Sequence, residues 1–217
     1  MRLWLYILPL VAYLYGAVPF SFLLPRLLRG VDIREVGSGN VGATNAARVL
    51  GFKFFPLIFL LDVSKGFLPT LAAVSLAGHL FSETAFAPHP WVVGVALAAI
   101  LGHVFPVYLR FKGGKAVATS TGVFLVLAPW SLLIAAGVWG AVFLFTHYVS
   151  LASIAAAAAL PLAVWLLNMD RWPAPIYLVA LTTFGGLFVI WLHRSNIRRL
   201  LRGDEDKIGA GESDEQE

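Results

Sequence analysis

The chain contains no cysteine and little charge, since Asp, Glu, Lys and Arg make up only 13% of its 217 residues. The absence of cysteine excludes disulfide frameworks, thiolate metal sites and cysteine nucleophiles. Soluble domains carry about 25% charged residues, so the polar surface available here is too small to cover a fold in water. With 59% hydrophobic residues and a mean hydropathy of +0.81, the sequence predicts a protein that folds in lipid.

Long apolar runs divide the chain into candidate membrane spans, because a helix needs about 20 apolar residues to cross ~30 Å of hydrocarbon. Four runs have a suitable length: Leu3 to Leu24, Phe52 to Phe81 with a break at Asp62 to Gly66, Trp91 to Leu109, and Pro175 to Leu192. Between the last two lies a block of 52 residues, Ala116 to Leu167, without any Asp, Glu, Lys or Arg. By length, this block fits two long helices or three short ones.

The distribution of basic residues sets the topology. Of 16 Lys and Arg, 13 lie in three segments: residues 26–53 around the end of the first run and the start of the second, residues 110–115, and residues 194–207 after the last run. These segments are expected in the cytoplasm, whereas the connection from Ser82 to Pro90 has neither residue type and is expected outside. If Lys115 and Arg194 are both inside, the uncharged block must cross three times, with breaks near Pro129 and near His147 to Ser150. Two crossings would instead place Arg198 and Arg199 outside.

The fold class is therefore predicted as all-α, a polytopic bundle of seven transmembrane helices with the N-terminus outside and the C-terminus cytoplasmic. The first run could alternatively be a signal peptide, but it is longer than usual and ends in Leu-Leu-Pro-Arg without a small-residue cleavage site. It is interpreted as a retained helix. Residues 1–203 are predicted to form a single transmembrane domain, and residues 204–217 an acidic, disordered tail.

Three segments on the predicted cytoplasmic face carry polar residues that helix connection alone does not require. They are Gly37 to Asn45 with Arg48, Phe111 to Lys115, and His193 to Asn196 with Arg198 and Arg199. Glycine allows backbone N–H groups to converge on an anion, and Lys and Arg supply positive charge. The pattern predicts phosphate binding.

Three other interpretations of these glycine-containing segments are possible. Gly37 to Gly42 matches G-x-G-x-x-G, but a membrane helix precedes it where a dinucleotide site requires a strand. Lys112 to Lys115 lacks the first glycine of a P-loop, and Ala116 replaces its Ser or Thr. The glycines could also serve only for close helix packing. Asp62 and Lys65 are interpreted as a structural pair that supports the site, and His103 as a buried core histidine outside the site.

In this order and spacing, the segments resemble the bacterial acyl-phosphate:glycerol-3-phosphate acyltransferase family (PlsY). Gly37 to Asn45 with Arg48 is similar to its first motif, Gly102 to Pro106 through Phe111 to Thr119 to its second, and His193 to Ile197 with Arg199 and Glu205 to its third. Two positions depart from the family pattern. Ala116 stands where many members have a third glycine, and Leu192 where an arginine often precedes the histidine.

The resemblance implies transfer of a fatty acyl group from acyl phosphate to the sn-1 hydroxyl of glycerol 3-phosphate, giving lysophosphatidic acid and phosphate for phospholipid biosynthesis. It implies no cofactor, metal or nucleic-acid partner, and a monomer in the bacterial cytoplasmic membrane whose active site faces the cytoplasm. The catalytic residues that it implies are Ser38, Arg48, His193 and Asn196. The substrate-binding residues are Gly37, Gly39, Asn40, Gly42, Thr44, Asn45, Lys112, Gly113, Gly114, Lys115 and Arg199.

Several alternatives stay open at this level. The attacking hydroxyl could lose its proton to His193 or to the substrate's own phosphate, and a Ser38 acyl-enzyme is a third possibility. Acyl-CoA-dependent enzymes typically carry His-x4-Asp, which none of the five histidines matches. An anion or lipid-phosphate transporter is the alternative function, although the polar groups crowd one face rather than the membrane midplane.

Overall fold

The computed structural model describes residues 3–81, 89–169 and 176–208, and every regular element among them is helical. The ten α-helices are α1 (Trp4–Gly16), α2 (Phe20–Arg29), α3 (Ala43–Leu50), α4 (Phe55–Phe81), α5 (Pro90–Val104), α6 (Val117–Leu127), α7 (Pro129–Thr146), α8 (Val149–Leu167), α9 (Ile176–Leu192) and α10 (Arg194–Arg202). Short 3-10 helices cover Phe52–Phe54 and Val107–Leu109. The chain forms two compact units, Met1–Leu127 and Ala128–Glu217.

In the first unit, two pairs of glycines allow helix backbones to come into contact. A Cβ atom on Gly16 of α1 would overlap the Ala99 carbonyl of α5, and one on Gly102 of α5 would overlap the Tyr13 carbonyl of α1. Likewise, a Cβ atom on Gly66 of α4 would overlap the Thr119 carbonyl of α6, and one on Gly122 of α6 would overlap the Val63 carbonyl of α4. Small residues allow such close packing of membrane helices. These contacts hold α1 against α5 and α4 against α6.

The second unit begins with the α7–α8 helical hairpin. Its turn passes through His147, which adopts the left-handed conformation (φ 60°), and Trp139 Nε1 donates a hydrogen bond to Ser153 Oγ across the hairpin at 3.2 Å. Helix α9 packs on α8. Between α9 and α10 the axis bends by 53°, and His193 lies at the bend.

Within the described residues, five helical segments are long and apolar enough to cross a membrane, or six if the bent pair α9 and α10 counts as one span. They include the first three predicted runs and both α7 and α8. The predicted breaks near Pro129 and His147 to Ser150 coincide with the starts of α7 and α8. Helix α6, the fourth predicted crossing along the chain, has only 11 residues, which gives it about half the length that the hydrocarbon requires. The fold is therefore an all-helical membrane protein, with seven crossings still a prediction.

Two predictions fall partly outside the described residues. These are the external connection, of which residues 82–88 are not described, and the tail, of which residues 209–217 are not described. The first residues of the tail, 204–208, make defined contacts with the second unit. The Ile208 N–H donates to the His147 carbonyl at 3.1 Å, and Lys207 lies over the Tyr148 ring.

Candidate active site

The first glycine-rich segment is organised around the side chain of Asn45. We call residues 31–42, between α2 and α3, the first loop. The buried Asn45 amide donates to the carbonyls of Ile33 at 2.8 Å and of Val36 and Asn40 at 3.2 Å each. Its Oδ1 accepts from the Ser38 N–H at 3.1 Å. One polar side chain at the start of α3 therefore determines the path of the whole loop.

Glycine is required at two points of this loop. Gly37 and Gly39 have φ values of 57° and 65°, in the left-handed region that L side chains rarely adopt. A Cβ on Gly37 would also overlap Asn45 Oδ1. This geometry leaves the Ser38 side chain exposed, while Thr44 and Arg48 on α3 are half-buried.

An ion pair secures the start of the first loop. Arg34 binds Asp32 through its guanidinium, with Nη2 donating to Oδ2 at 2.6 Å and Nε to Oδ1 at 2.9 Å. The Arg34 guanidinium also lies 5.0 Å from the centre of the Phe22 ring on α2. The hydrogen bonds from Arg34 lower the pKa of the Asp32 carboxyl to about 2. The carboxylate is therefore charged over the whole physiological pH range.

The second segment folds back onto the end of α5. We call residues 111–116 the second loop. Its Gly113 and Gly114 N–H groups donate to the carbonyls of Val104 and His103 at 3.1 and 3.2 Å. The loop leaves Lys112 exposed and Lys115 half-buried. At its end, Ala116 has a φ of 59°, a conformation in which glycine would be less strained.

The two loops are in contact at Gly114. A Cβ on this residue would overlap the Val41 carbonyl of the first loop and the His103 imidazole of α5. Gly114 therefore allows the second loop to pass between the first loop and α5. The first and second predicted motifs come together, as a shared site requires.

The role predicted for the glycine N–H groups is not supported. The N–H groups of Ser38, Gly39, Gly42, Gly113 and Gly114 all donate to acceptors within the protein. They are committed to loop structure rather than pointed at an anion. The glycines are needed for positive φ angles and close approach, and the charged side chains Arg48, Lys112 and Lys115 become the main candidates for binding phosphate.

A buried charged cluster lies beside the loops. Asp62 Oδ1 pairs with Lys65 Nζ at 2.6 Å within α4, and Asp62 Oδ2 accepts from Ser21 Oγ at 2.6 Å. Together with His103 and with Val41 of the first loop, these side chains line one pocket. The prediction of an Asp62–Lys65 pair is confirmed. The exclusion of His103 from the site is not supported, because it lines a pocket with the first loop and contacts the second.

The third segment lies in the second unit and is organised by Glu205. Asn196 Nδ2 donates to Glu205 Oε1 at 2.6 Å, and Arg199 Nε donates to Glu205 Oε2 at 2.7 Å. Burial alone raises the pKa of Glu205, but the Ser150 hydroxyl, Asn196 and Arg199 outweigh it, so the pKa lies below its usual range. We call these four residues the Glu205 clasp.

His193, at the bend between α9 and α10, is also fixed. It is 4% exposed, and its Nδ1 lies 2.8 Å from the Val189 carbonyl oxygen. Because a carbonyl can only accept, Nδ1 carries the proton, and Nε2 is the acceptor of the neutral ring. This tautomer is the one that a general base acting through Nε2 needs. Within the described residues, no cluster of three His, Asp or Glu side chains could hold a metal ion.

Comparisons with known proteins agree with the geometry. The profile of the family described as glycerol-3-phosphate acyltransferase matches residues 6–203. The chain belongs to this family. A curated glycerol-3-phosphate acyltransferase from Gloeobacter violaceus is 46% identical over 199 residues, covering 91% of this chain and 92% of the relative.

Two solved structures of PlsY, an integral membrane glycerol 3-phosphate acyltransferase, are similar to the structure of this chain. The glycerol 3-phosphate form is 40% identical, with a TM-score of 0.83 and coverage of 94% and 96% of the two chains. The lysophosphatidic acid form is 38% identical, with a TM-score of 0.80 and coverage of 94% and 95%. The resemblance to the PlsY family is thereby confirmed.

Proposed function

We propose that this protein transfers a fatty acyl group from acyl phosphate to the sn-1 hydroxyl of glycerol 3-phosphate, producing lysophosphatidic acid and inorganic phosphate. Membership of the glycerol-3-phosphate acyltransferase family supports acyl transfer to this acceptor. The observation that carries the proposal is the contact between the two loops at Gly114. That contact brings together the loops that contain Ser38, Lys112 and Lys115, as recognition of a phosphorylated substrate requires.

The chemical step is a direct displacement at the acyl carbon. The sn-1 oxygen of the acceptor forms a bond to the carbonyl carbon, the bond from that carbon to the phosphate oxygen breaks, and phosphate leaves with the electron pair. The hydroxyl proton passes to His193 Nε2 or to the substrate's own phosphate. Because acyl phosphate is already activated, positioning of the reactants and stabilisation of the developing oxyanion are sufficient for catalysis.

Each group of residues has a proposed role in this step. Arg48, Lys112 and Lys115 neutralise phosphate charge, and Ser38 and Thr44 donate hydrogen bonds to the acyl phosphate. At an effective dielectric constant near 20, one cation about 4 Å from a phosphate oxygen contributes on the order of 4 kcal/mol per unit charge. Asn45 holds the loop that presents Ser38. We also propose the catalytic roles that the family resemblance implies for His193 and Asn196, and a substrate-binding role for Arg199.

We further propose that the chain crosses the bacterial cytoplasmic membrane seven times, with the N-terminus outside and the active site in the cytoplasm. The basic segments support this orientation through the positive-inside rule. α6 is the weakest crossing, and cysteine-scanning accessibility at its two ends tests it directly. The cysteine-free chain is a ready background for such labelling. We propose that the protein acts as a monomer.

Product analysis tests the donor and acceptor together. Purified protein is incubated with labelled glycerol 3-phosphate and either palmitoyl phosphate or palmitoyl-CoA, and lysophosphatidate is quantified. We expect product from the acyl phosphate. Product from the thioester alone would refute the proposed donor, and no product from either would favour the transporter alternative. Positional analysis of the product distinguishes sn-1 from sn-2 acylation.

Rapid-quench labelling with radioactive acyl phosphate tests the direct attack. We expect no acylated protein in the wild type. A covalent adduct that disappears in Ser38→Ala would instead establish an acyl-enzyme on the Ser38 hydroxyl.

A further inference from the structure

We propose that Thr119 and His103 are positioning residues that fix the second loop, and through it the phosphate-binding lysines. This inference rests on the proposed function for its kinetic consequences, and on the geometry alone for its structural ones. It links the buried charged cluster of α4 to the site described above.

The first step is the way in which His103 supports the second loop. Its carbonyl accepts the Gly114 N–H at 3.2 Å. Its imidazole lies so close to Gly114 that a Cβ there would overlap Nε2. The backbone and the side chain of one residue thus fix the same point of the loop, one position before Lys115. A rotation of the His103 ring would therefore displace Gly114.

The second step is the way in which Thr119 fixes the ring of His103. Thr119 is fully buried in α6, and its Oγ1 lies 3.1 Å from His103 Nδ1. The same hydroxyl donates to the backbone carbonyl of Asp62 at 3.1 Å. Because a hydroxyl has one proton, its donation to Asp62 makes it the acceptor for His103, which places the ring proton on Nδ1. Thr119 therefore determines both the orientation and the tautomer of His103.

The third step is the anchoring of this chain of contacts to the rest of the first unit. Asp62 is held by Lys65 and Ser21, and Lys65 also donates to the Val18 carbonyl at 3.0 Å. The Asp62 carboxylate lies 4.0 Å from His103 Nδ1. Buried charges are costly in a membrane helix and are therefore candidates for function. The cluster provides a rigid support that connects α2, α4, α5 and α6.

The closing experiment compares four substitutions on α6. Thr119→Val is nearly isosteric and removes the hydroxyl, whereas Thr119→Ser retains it. Thr121→Val is the matched control, since Thr121 Oγ1 donates only to the Val117 carbonyl of its own helix at 3.0 Å. Hydrogen exchange of the Gly113 and Gly114 amides is measured by mass spectrometry, and KM and kcat for glycerol 3-phosphate are measured in parallel. Thr119→Ala is a second variant that introduces no added bulk.

We expect Thr119→Val and Thr119→Ala to speed exchange in the second loop and to raise KM about tenfold, the equivalent of one buried hydrogen bond. We expect kcat to change less than KM, because displaced lysines weaken binding before chemistry. Thr119→Ser and Thr121→Val should match the wild type.

The proposal is overturned if the Thr119 variants lower the thermal midpoint but leave loop exchange and KM equal to those of Thr121→Val. A failure of the proposed function would look different. The wild type would then be inactive with both donors. Hydrogen exchange of the Gly113 and Gly114 amides would still show whether the Thr119 variants loosen the second loop.

Discussion

The loop pair of the first unit and the Glu205 clasp of the second unit hold their polar residues by different means. In the loop pair, backbone N–H groups are satisfied by neutral carbonyl or amide oxygens, and glycines provide close approach. In the clasp, one carboxylate binds an amide and a guanidinium. The first arrangement depends on shape and the second on charge. Adding a single methyl group should therefore disrupt the packing of the loops, and protonation of the Glu205 carboxylate should weaken the clasp.

The largest effect is expected from Gly114→Ala. The added methyl group would overlap the Val41 carbonyl and the His103 ring, so the two loops must separate. We expect a loss of about 3 kcal/mol of stability together with nearly all activity, measured by thermal unfolding in detergent and by product formation. Gly94→Ala on α5 is the control, since a Cβ there meets nothing within 4 Å. Equal behaviour of the two variants would contradict the proposed contact.

Asn45→Asp should have the next largest effect. This change has nearly the same shape but replaces the donating amide with an oxygen that faces the carbonyls of Ile33, Val36 and Asn40. We expect a loss of about 2 kcal/mol from the unsatisfied buried acceptors, and lower activity because Ser38 loses its position. Asn168→Asp is the comparison, since that amide donates to one carbonyl only. A similar loss in both variants would argue against Asn45 as the organising residue.

Glu205→Gln tests the charge dependence of the clasp. Loss of the carboxylate weakens the hydrogen bonds from Asn196 and Arg199, and we expect a cost of about 1.5 kcal/mol. The exposed Glu35 provides a control substitution, Glu35→Gln, that removes the same charge.

The same carboxylate predicts a pH dependence. Because folding lowers the pKa of Glu205 from an ordinary value of 4.5, its contribution is fully present above that pH and is lost as the pH falls through the folded pKa. Unfolding measured from pH 7 to pH 3 should show this loss in the wild type and less of it in Glu205→Gln. An identical pH profile for both proteins would show that the Glu205 carboxylate does not contribute to the pH dependence of stability.

The smallest predicted effect is a gain. Ala116→Gly relieves a left-handed alanine and should stabilise the protein by about 1 kcal/mol. Ala118→Gly, in the first turn of α6, should instead destabilise it, because glycine loses more backbone freedom on folding than alanine. The two opposite signs, measured as thermal midpoints, distinguish conformational strain from a general effect of removing a methyl group.

The helix breaks could be predicted from the sequence. The basic residues at both ends of the chain's last part require an even number of crossings between Lys115 and Arg194, and a proline indicates where one of these helices begins. Pro129 and the segment from His147 to Ser150 were identified as break points, and α7 and α8 begin there. The short length of α6 follows from the same break, since the uncharged block starts at Ala116 and breaks near Pro129, and the helix covers Val117–Leu127. The positive φ of Ala116, which places the first helical residue at Val117, could not be predicted, because the uncharged block gives no signal there.

The meeting of the first two motifs was predicted, but its mechanism was not. Composition identifies which residues have N–H groups and not which acceptors they reach. The N–H groups of Gly39, Gly42, Gly113 and Gly114, predicted to bind an anion, donate to backbone carbonyls, and the Ser38 N–H donates to Asn45 Oδ1. The contribution of His103 to the site could not be predicted, because a lone histidine in an apolar run has no motif spacing that indicates a function. Its relation to Thr119 and Gly114 exists only after α5 and α6 have packed on α4.

The glycine contacts of the first unit also restrict the route of a lipid substrate. Where Gly16 meets Ala99 and Gly102 meets Tyr13, and where Gly66 meets Thr119, helix backbones touch without intervening side chains. A hydrocarbon tail cannot slide between surfaces that exclude even a methyl group. At those levels the α1–α5 and α4–α6 seams leave no passage for a fatty chain between the paired helices.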